Sequence, residues 1–517
     1  MGREKAVGTV ALIFGFTALG KIIGLLREVG MAARFGAGSV TDAYLAAGTV
    51  ITLFLNLLGG RTLGTAFIPV YSGLAAAGLQ ERANRFTGTI FYLTLFVFIC
   101  AALLCFLMAD QLVSVVVPGF PEHTRESAVF FTRLLAAGIP LLTLAGYFSA
   151  LLNLRGHFAV PAALGIPFNL AIIFFIIQPQ AGAFELAAGT LAGYLLQVLV
   201  LLPVMKKNQV WIFTRPDIRE PGVFKVGGLL LPIVAGGMFT QLNPLVTRAV
   251  ASRLQEGAIS ALGYADRLIQ VPLGLLVTAV ITAGYPALSG AFAADNSAKA
   301  RKMVISWSGA LLFGIIPIAC GLAFFSLTLV MLVFQRGAFT VEAASATAGA
   351  LFYYSLGLPF MAWGRLLARV FYASGDSKTP MMIGAAAVGA NIVCCLVLAG
   401  PMGHCGIALA TTLASLGSLL LSLHYLGIKK GILICRTLRG KLTGILFSAV
   451  IQVLIMLEFS YLVGGGEREP VAEALYMVLT GGAGLVGYFL SAWLLHLDEA
   501  VFVVSFCKKR LFGRGNL

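Results

Sequence analysis

About fourteen runs of roughly 20 apolar residues recur along the chain, and they constrain its fold more than any other feature of the sequence. Each run is long enough to cross a bilayer as a helix, because a helix rises about 1.5 Å per residue and the hydrocarbon core is about 30 Å thick. The runs lack the alternation of apolar and polar residues that a membrane β-strand shows, so helices are expected to satisfy the backbone hydrogen bonds in lipid. The runs cover residues 7–26, 43–76, 86–109, 127–152, 158–178, 184–205, 224–252, 259–292, 303–326, 341–373, 380–399, 404–427, 441–463 and 472–496.

The composition agrees with a chain that lies mostly in lipid. Of the 517 residues, 59% are hydrophobic and 11% are charged, whereas soluble globular proteins carry roughly 25% charged residues. No polar stretch of even about 50 residues, the lower end of domain size, interrupts the apolar runs. The sequence therefore predicts an all-α integral membrane protein with about fourteen transmembrane helices.

The basic residues lie mainly in short segments between the apolar runs, as in Lys206-Lys207 and Lys429-Lys430. The net charge of +15 thus reflects the positive-inside rule and does not indicate a nucleic-acid partner. One set of alternate connections, which includes both termini, holds 23 Lys and Arg residues, and the opposite set holds 6. Because cytoplasmic loops carry the excess, we expect a multi-pass plasma-membrane protein with both termini in the cytoplasm and an even number of helices.

The two halves of the sequence resemble each other at an offset of about 219 residues, which indicates an internal repeat. Three residues of the first half recur with the same spacing in the second, namely Pro140, Gly156 and Pro161 as Pro359, Gly375 and Pro380. Gly and Pro also recur by chance in membrane helices, but a true repeat of six helices predicts two parallel copies related by an axis along the membrane normal. We expect one six-helix lobe over residues 1–220, a second over 221–428, and two further helices with a basic cytoplasmic tail over 429–517.

Motifs of enzymes and metal sites are missing from the sequence. The eight cysteines include no CxxC pair, and the five histidines include no HExxH. No GxSxG, Walker A or GxGxxG element occurs. We therefore expect a protein that is not an enzyme, with no cofactor, no catalytic residue and no metal site.

Several cations fall inside the apolar runs, where a charge costs at least about 2.5 to 3.5 kcal/mol and should face a cavity, a partner or an interface. They are Lys21, Arg61, Arg248, Arg267, Arg365 and Arg369. The acids that stand near them, Asp42 and Asp266, are fewer, so the interior is expected to be cationic and suited to an anion. The alternatives are snorkelling to the interface, a structural ion pair, or an internal pair between Asp266 and Arg267.

Ordered motifs along nearly the whole chain carry a resemblance to a known family. They begin with Gly20-Lys-Ile-Ile-Gly-Leu-Leu-Arg27-Glu28, Arg34-Phe-Gly-Ala-Gly and Thr41-Asp42-Ala-Tyr, and continue with Val117-Pro-Gly-Phe120, Tyr264-Ala-Asp-Arg267, Phe334-Gln-Arg-Gly-Ala-Phe-Thr340 and Phe371-Tyr-Ala-Ser-Gly-Asp-Ser-Lys-Thr-Pro380. In these motifs the chain resembles the MurJ (MviN) family of bacterial lipid II flippases, within the superfamily of multidrug, oligosaccharidyl-lipid and polysaccharide exporters.

This resemblance implies two six-helix lobes around a central cavity and the transfer of a lipid-linked peptidoglycan precursor, lipid II, to the outer leaflet by alternating access. The implied partners are lipid II or a related polyprenyl-diphosphate-linked sugar, membrane lipid, and a coupling cation, Na⁺ or H⁺. Cavity cations of the family correspond to Lys21, Arg27 and Arg267, and the family's second-helix aspartate corresponds to Asp42. The candidate substrate-binding residues are Arg27, Arg267, Lys21, Asp42, Arg61 and Arg34.

The sequence departs from the family in the second helix, where a paired Arg-Arg is common. Leu55-Asn56 stands at the aligned positions, and Arg61 lies six positions on, on a different side of the helix. This departure leaves open a flippase for another polyprenyl-diphosphate-linked oligosaccharide. An exporter of cationic drugs fits a cationic interior less well, a membrane enzyme would need a carboxylate or His cluster, and buried charge disfavours a structural scaffold.

Overall fold

The computed structural model describes residues 3–58, 63–208, 210, 214–432, 434–463, 469–502 and 505. Within these residues the chain forms helices joined by turns and short connections, and no strand occurs. The helices are α1 (Arg3–Phe35), α2 (Ser39–Leu57), α3 (Leu63–Ala76), α4 (Gln80–Leu107), α5 (Ala109–Val116), α6 (Glu122–Ala136), α7 (Gly138–Leu154), α8 (Ala159–Ala163), α9 (Gly165–Ile176), α10 (Ala183–Lys207), α11 (Pro221–Ala251), α12 (Ala258–Ala293), α13 (Ser297–Phe324), α14 (Ser326–Phe334), α15 (Val341–Ala373), α16 (Lys378–Lys430), α17 (Ile434–Val463) and α18 (Pro470–Leu494).

The prediction of an all-α membrane protein is confirmed. Eight helices in the described part of the chain are long and apolar enough to cross a membrane, or nine if α6 and α7, which meet at an angle of 43°, form one broken span. The run predicted over 341–373 coincides with α15, and the run over 86–109 lies within α4 and the start of α5. The total of fourteen spans stays a prediction.

Two of the predicted runs, 380–399 and 404–427, lie within α16, on either side of a break in the helix. The backbone departs from helical geometry at Gly403, with φ 59° and ψ −138°. A β-carbon at Gly406 would come within 3.0 Å of the carbonyl oxygen of Leu398, so the chain after the break returns close to the chain before it. Glycine suits both positions, because the first needs a positive φ and the second a close backbone approach.

Short helices interrupt the predicted pattern at two places that the hydrophobic runs did not indicate. α5 follows α4 after one break at Met108, and α14 follows α13 after one break at Phe325. Each is too short to cross a bilayer, since about 20 residues are needed. Both therefore continue the chain beyond a membrane-length helix, after a break of one residue.

The chain divides into two compact units, of which the first comprises Met1–Ser260 with Arg336–Thr340 and the second comprises Ala261–Gln335 with Val341–Leu517. Aromatic rings fill the core of the first unit between α3, α4 and α7. The ring of Phe67 lies 5.3 Å from those of Phe86 and Tyr147, and the Tyr147 hydroxyl donates to the carbonyl of Thr87 at 2.7 Å. The buried hydroxyl is thus satisfied by a helix backbone.

In the second unit, α17 and α18 attach to α13 beside Pro317. The ring of Pro317 has no N–H, so the carbonyl of Phe313 lacks its usual helical donor. Tyr488 of α18 donates its hydroxyl to this carbonyl at 2.9 Å, and Nε2 of Gln452 on α17 donates to the Pro317 carbonyl at 3.0 Å. Hydrogen bonds to the carbonyl that the proline leaves without a donor, and to the carbonyl of the proline itself, therefore join α18 and α17 to α13.

Candidate functional site

Arg27 lies in a sheltered position on α1, in the first unit. Its side chain is 12% exposed and pairs with the adjacent Glu28, and its guanidinium carbon lies 5.6 Å from the centre of the Phe168 ring. Phe168 in turn stacks on Tyr194 at 5.2 Å. Within the described part of the chain, Nε of Arg27 has no hydrogen-bond partner. The guanidinium thus retains one donor for a further acceptor, although Glu28 offsets its charge.

Small residues allow the helices around Arg27 to approach each other closely. A β-carbon at Gly20 would contact the backbone of Gly165, and one at Gly193 would come within 3.0 Å of Phe168. Nδ2 of Asn169 donates to the carbonyls of Gly165 at 2.7 Å and Gly20 at 3.2 Å, which joins α9 to α1. Small residues with an interhelical amide are a common way for membrane helices to associate. Packing of this kind holds the Phe168 ring against Arg27.

Lys21 and Arg34 lie on the same helix as Arg27, in different surroundings. Lys21 is exposed on α1. Arg34 is also exposed, but Nε donates to the carbonyl of Ala181 at 3.0 Å and Nη2 to that of Pro179 at 2.6 Å. Arg34 therefore holds the connection between α9 and α10, and substrate binding by this residue stays a prediction.

Asp42 on α2 is buried and caps the beginning of α12. Its carboxylate accepts hydrogen bonds from the backbone N–H of Gly257 at 2.8 Å and of Ser260 at 2.7 Å, and from the Ser260 hydroxyl. A carboxylate at a helix N-terminus satisfies N–H groups that have no partner within the helix and interacts well with the helix dipole. These bonds give Asp42 a structural role, and its predicted role near the substrate stays a prediction.

Four connections meet around Asp42, and we call them the clasp: residues 33–42, 117–123, 252–260 and 336–340. The N–H of Ala338 donates to the carbonyl of Ala33 at 2.8 Å, and that of Gly119 to the Ser252 hydroxyl at 3.1 Å. Glu256 accepts from the N–H of Ser39 at 2.7 Å and lies 3.6 Å from His123.

Glycine is required at three clasp positions by backbone conformation and by space. Gly36, Gly257 and Gly337 have φ of 65°, 85° and 57°. A β-carbon at any of them would come within 3.0 Å of a carbonyl oxygen in another connection of the clasp. Larger residues would therefore force these connections apart.

The second unit carries its own exposed cations. Arg267 on α12 is exposed, and the neighbouring Asp266 accepts from Nε2 of Gln270 at 3.2 Å. Asp266 also lies close enough to Arg365 of α15 to interact with its charge, while Arg369 is exposed one turn further on. Asp266 can therefore form the internal ion pair, given above as an alternative to substrate binding, with Arg365 as well as with Arg267. Arg61 lies outside the described residues.

In the described part of the chain, no group of three or more His, Cys, Asp or Glu side chains could hold a metal ion. Phe168, Asn169 and Glu256 were not predicted from the sequence as partners of the site. Asn169, a lone amide in an apolar run, was the one detectable signal, because such a group needs a hydrogen-bond partner.

The membrane-length helices of the described residues define a polytopic α-helical membrane protein. The fold matches the solved structure of the lipid II flippase MurJ in an inward closed conformation with a TM-score of 0.79 and 22% identity, over 94% of this chain and 99% of that one. An inward-facing multidrug resistance transporter of the MATE family matches with a TM-score of 0.68 and 12% identity, over 82% and 98% of the two chains. The fold is therefore shared with transporters.

Sequence comparison gives the family. The model of the family described as lipid II flippase MurJ matches residues 31–465. The lipid II flippase MurJ of Burkholderia cenocepacia is 30% identical over 445 residues, which are 83% of this chain and 84% of the relative. The probable lipid II flippase MurJ of Rhizobium meliloti is 29% identical over 418 residues, 78% and 77% of the two chains. The chain belongs to the MurJ family.

Proposed function

We propose that this protein moves lipid II from the inner to the outer leaflet of the bacterial plasma membrane by alternating access, without catalysing a reaction. The observation that carries the proposal is the match of the MurJ family model to residues 31–465. An all-helical membrane chain suits such a task, since a diphosphate sugar head group cannot cross hydrocarbon unaided.

The proposed contacts to the diphosphate come from cations on the membrane helices. Arg27 offers a sheltered guanidinium with a free Nε, and Lys21 and Arg267 are exposed. Charge-assisted bonds to a phosphate are stronger within a sheltered pocket than at an open surface. Glu28 beside Arg27 prevents this position from attracting anions indiscriminately, because a diphosphate must compete with a bound carboxylate.

The proposed orientation places both termini and the connection between α10 and α11 in the cytoplasm. The distribution of 23 against 6 basic residues supports it. In this orientation the clasp lies at the outer side of the membrane. We also propose one lobe over residues 1–220 and a second over 221–428. Residues 429–517 would then offer an apolar surface to the polyprenyl tail. Transport would be coupled to Na⁺ or H⁺.

A second candidate substrate is another polyprenyl-diphosphate-linked oligosaccharide. The replacement of the family's arginine pair by Leu55-Asn56 favours it, because two fewer cations change which head group is held best. The diphosphate and the lipid tail are common to both substrates. The distinction therefore depends on the sugar alone.

The test is rescue of a bacterium depleted of its own lipid II flippase, with membrane insertion of the expressed protein measured in parallel. Vesicles that contain the purified protein are then loaded with labelled lipid II or with a labelled polyprenyl-diphosphate that carries a different sugar. Lipid II should become accessible to a reagent outside the vesicles at the higher rate. The Arg27→Ala variant is the matched control for transport through this site. Insertion without rescue, together with equal or better transport of the other lipid, would replace lipid II as the substrate.

A further inference from the structure

A groove of about 500 Å³ lies in the first unit between α6 and the break that joins α4 to α5. Its polar lining comes from Asp110, Glu122, Arg125, Glu126 and Arg133, and its apolar lining includes Phe106. A volume of 300 to 1,000 Å³ is typical of a small-molecule site. The groove has enough room for a lipid head group.

Ion pairs within the groove involve three of its five charged side chains, and the other two, one cation and one anion, take no part in them. Arg125 binds Asp110 at 3.1 Å and lies 3.8 Å from Glu122. Among the residues that the structure describes, Glu126 and Arg133 have no hydrogen-bond or ion-pair partner. Both are exposed, and both line the same groove. The groove thus presents a negative and a positive charge on one face of α6, about two helical turns apart.

The surroundings of Arg133 are those of a membrane interface. It lies inside the apolar run 127–152, and the nearby Phe106 and Phe130 of the groove are 47% and 40% exposed. A helical side chain leans toward the N-terminus of its helix, so Arg133 extends toward the end of α6 that carries Glu126. A long cationic side chain in an apolar helix reaches in this way to the level of the lipid phosphates.

We propose that this groove binds the head group of a zwitterionic membrane phospholipid of the ethanolamine type, with its phosphate on Arg133 and its ammonium on Glu126. The order of charges matches, because the phosphate of such a lipid lies nearer the hydrocarbon than the ammonium does. Exposed Phe106 and Phe130 flank the start of the acyl chains. The acids in the groove disfavour a diphosphate, which carries no ammonium to offset them. This binding site is independent of the proposed transport. The proposed orientation is needed only to place the bound phospholipid in the outer leaflet.

The experiment is native mass spectrometry of the purified full-length chain with phosphatidylethanolamine, phosphatidylglycerol or lipid II added at equal concentration. The parent should retain phosphatidylethanolamine most strongly. Arg133→Ala should lose about tenfold in bound phosphatidylethanolamine, as expected for one charge-assisted contact. Glu126→Gln should lose the preference for phosphatidylethanolamine over phosphatidylglycerol, and Arg133→Lys should keep most binding. Arg85→Ala, a change of an exposed arginine on α4, is the control.

Equal retention of phosphatidylethanolamine by the parent and Arg133→Ala overturns the proposal, as does displacement of that lipid from the parent by an equal amount of lipid II. If Arg133→Ala does not fold, Arg133→Lys and Glu126→Gln decide. In that case an unchanged preference for phosphatidylethanolamine in Glu126→Gln counts against the site. Rescue of a flippase-depleted strain is a separate measurement, so failure of the transport proposal is distinguishable from failure of this one.

Discussion

Tyr488 donates its hydroxyl hydrogen to the carbonyl oxygen of Phe313 at 2.9 Å, in place of the backbone donor that Pro317 lacks. The tyrosine is fully buried, so no water substitutes for it. α18, which lies outside the predicted internal repeat, is thereby joined to α13 within it. The amide of Gln452 makes a second such hydrogen bond, from α17 to the Pro317 carbonyl.

Removing that hydroxyl should weaken the attachment. Hydrogen bonds between membrane helices contribute about 0.6 kcal/mol on average and up to about 1.7, and an unsatisfied buried carbonyl adds to the loss. We expect Tyr488→Phe to lower the free energy of unfolding by about 1 kcal/mol, measured by unfolding in detergent. Tyr461→Phe is the control, since Tyr461 is 84% exposed. Equal stability of the two variants would contradict the role assigned to Tyr488.

The clasp should depend on the absence of a β-carbon at Gly257. The left-handed conformation costs a residue other than glycine about 1 to 2 kcal/mol, and overlap with the Ala37 carbonyl adds to it. Gly257→Ala should therefore destabilise the protein by more than Gly78→Ala. Gly78 has a similar φ of 75°, and no atom lies within 4 Å of the place that a β-carbon would take there, so it isolates the backbone contribution. Thermal unfolding measures both variants, and a larger loss for Gly78→Ala would refute the close contact.

Arg27 and Arg267 should each be needed for transport. A charge-assisted bond to a substrate phosphate contributes about 1.5 to 3 kcal/mol, so each alanine variant should bind lipid II roughly ten- to a hundredfold more weakly and fail to rescue a depleted strain. Arg267→Lys should retain part of the activity, because it keeps the charge and loses the forked geometry. Arg85→Ala serves as the exposed control. Normal rescue and binding by both alanine variants would make these arginines structural.

Stability should depend on acid pH through Asp376, in the connection between α15 and α16. Hydrogen bonds from the side chain and N–H of Thr379, together with Lys429, lower the pKa of Asp376 from 3.8 to about 2. A lowered pKa stabilises the folded state above the ordinary value and loses that effect as pH falls from about 4 to about 2. The difference in unfolding temperature between the parent and Asp376→Asn should therefore be constant from about pH 8 to 5 and shrink toward pH 3. Glu81→Gln is the exposed control, and a difference that persists undiminished at pH 3 would exclude this linkage.

The orientation can be tested with single cysteines in a background without the eight native ones. Arg215→Cys should react with an impermeant reagent only after permeabilisation, because the connection that holds it is predicted to be cytoplasmic. Glu122→Cys, in an exposed position at the start of α6, should react in intact cells. Labelling of position 215 from outside would reverse the topology.

The sequence predicted the helices well because a membrane span is a local property. A run such as 341–373 indicates a helix by length and composition alone, and α15 begins and ends at those residues. The role of Asp42 could not be predicted in the same way, since its partners Gly257 and Ser260 lie 215 and 218 residues away. Arg34 is similar, because its carbonyl acceptors belong to a connection more than a hundred residues later. The sequence thus indicates which charged residues are unusual in lipid. Tertiary packing decides which of them already have hydrogen-bond partners within the protein.

The break at Gly403 makes α16 sensitive to chain length. One pair of dihedral angles separates the helix before it from the helix after it. An insertion or deletion of one residue next to Gly403 would turn the faces of the following helix by about 100°, since a helix has about 3.6 residues per turn. Residues of 404–430 that now meet α15 would then face lipid. Relatives of this protein should accordingly vary in length at their longer connections and keep this one constant.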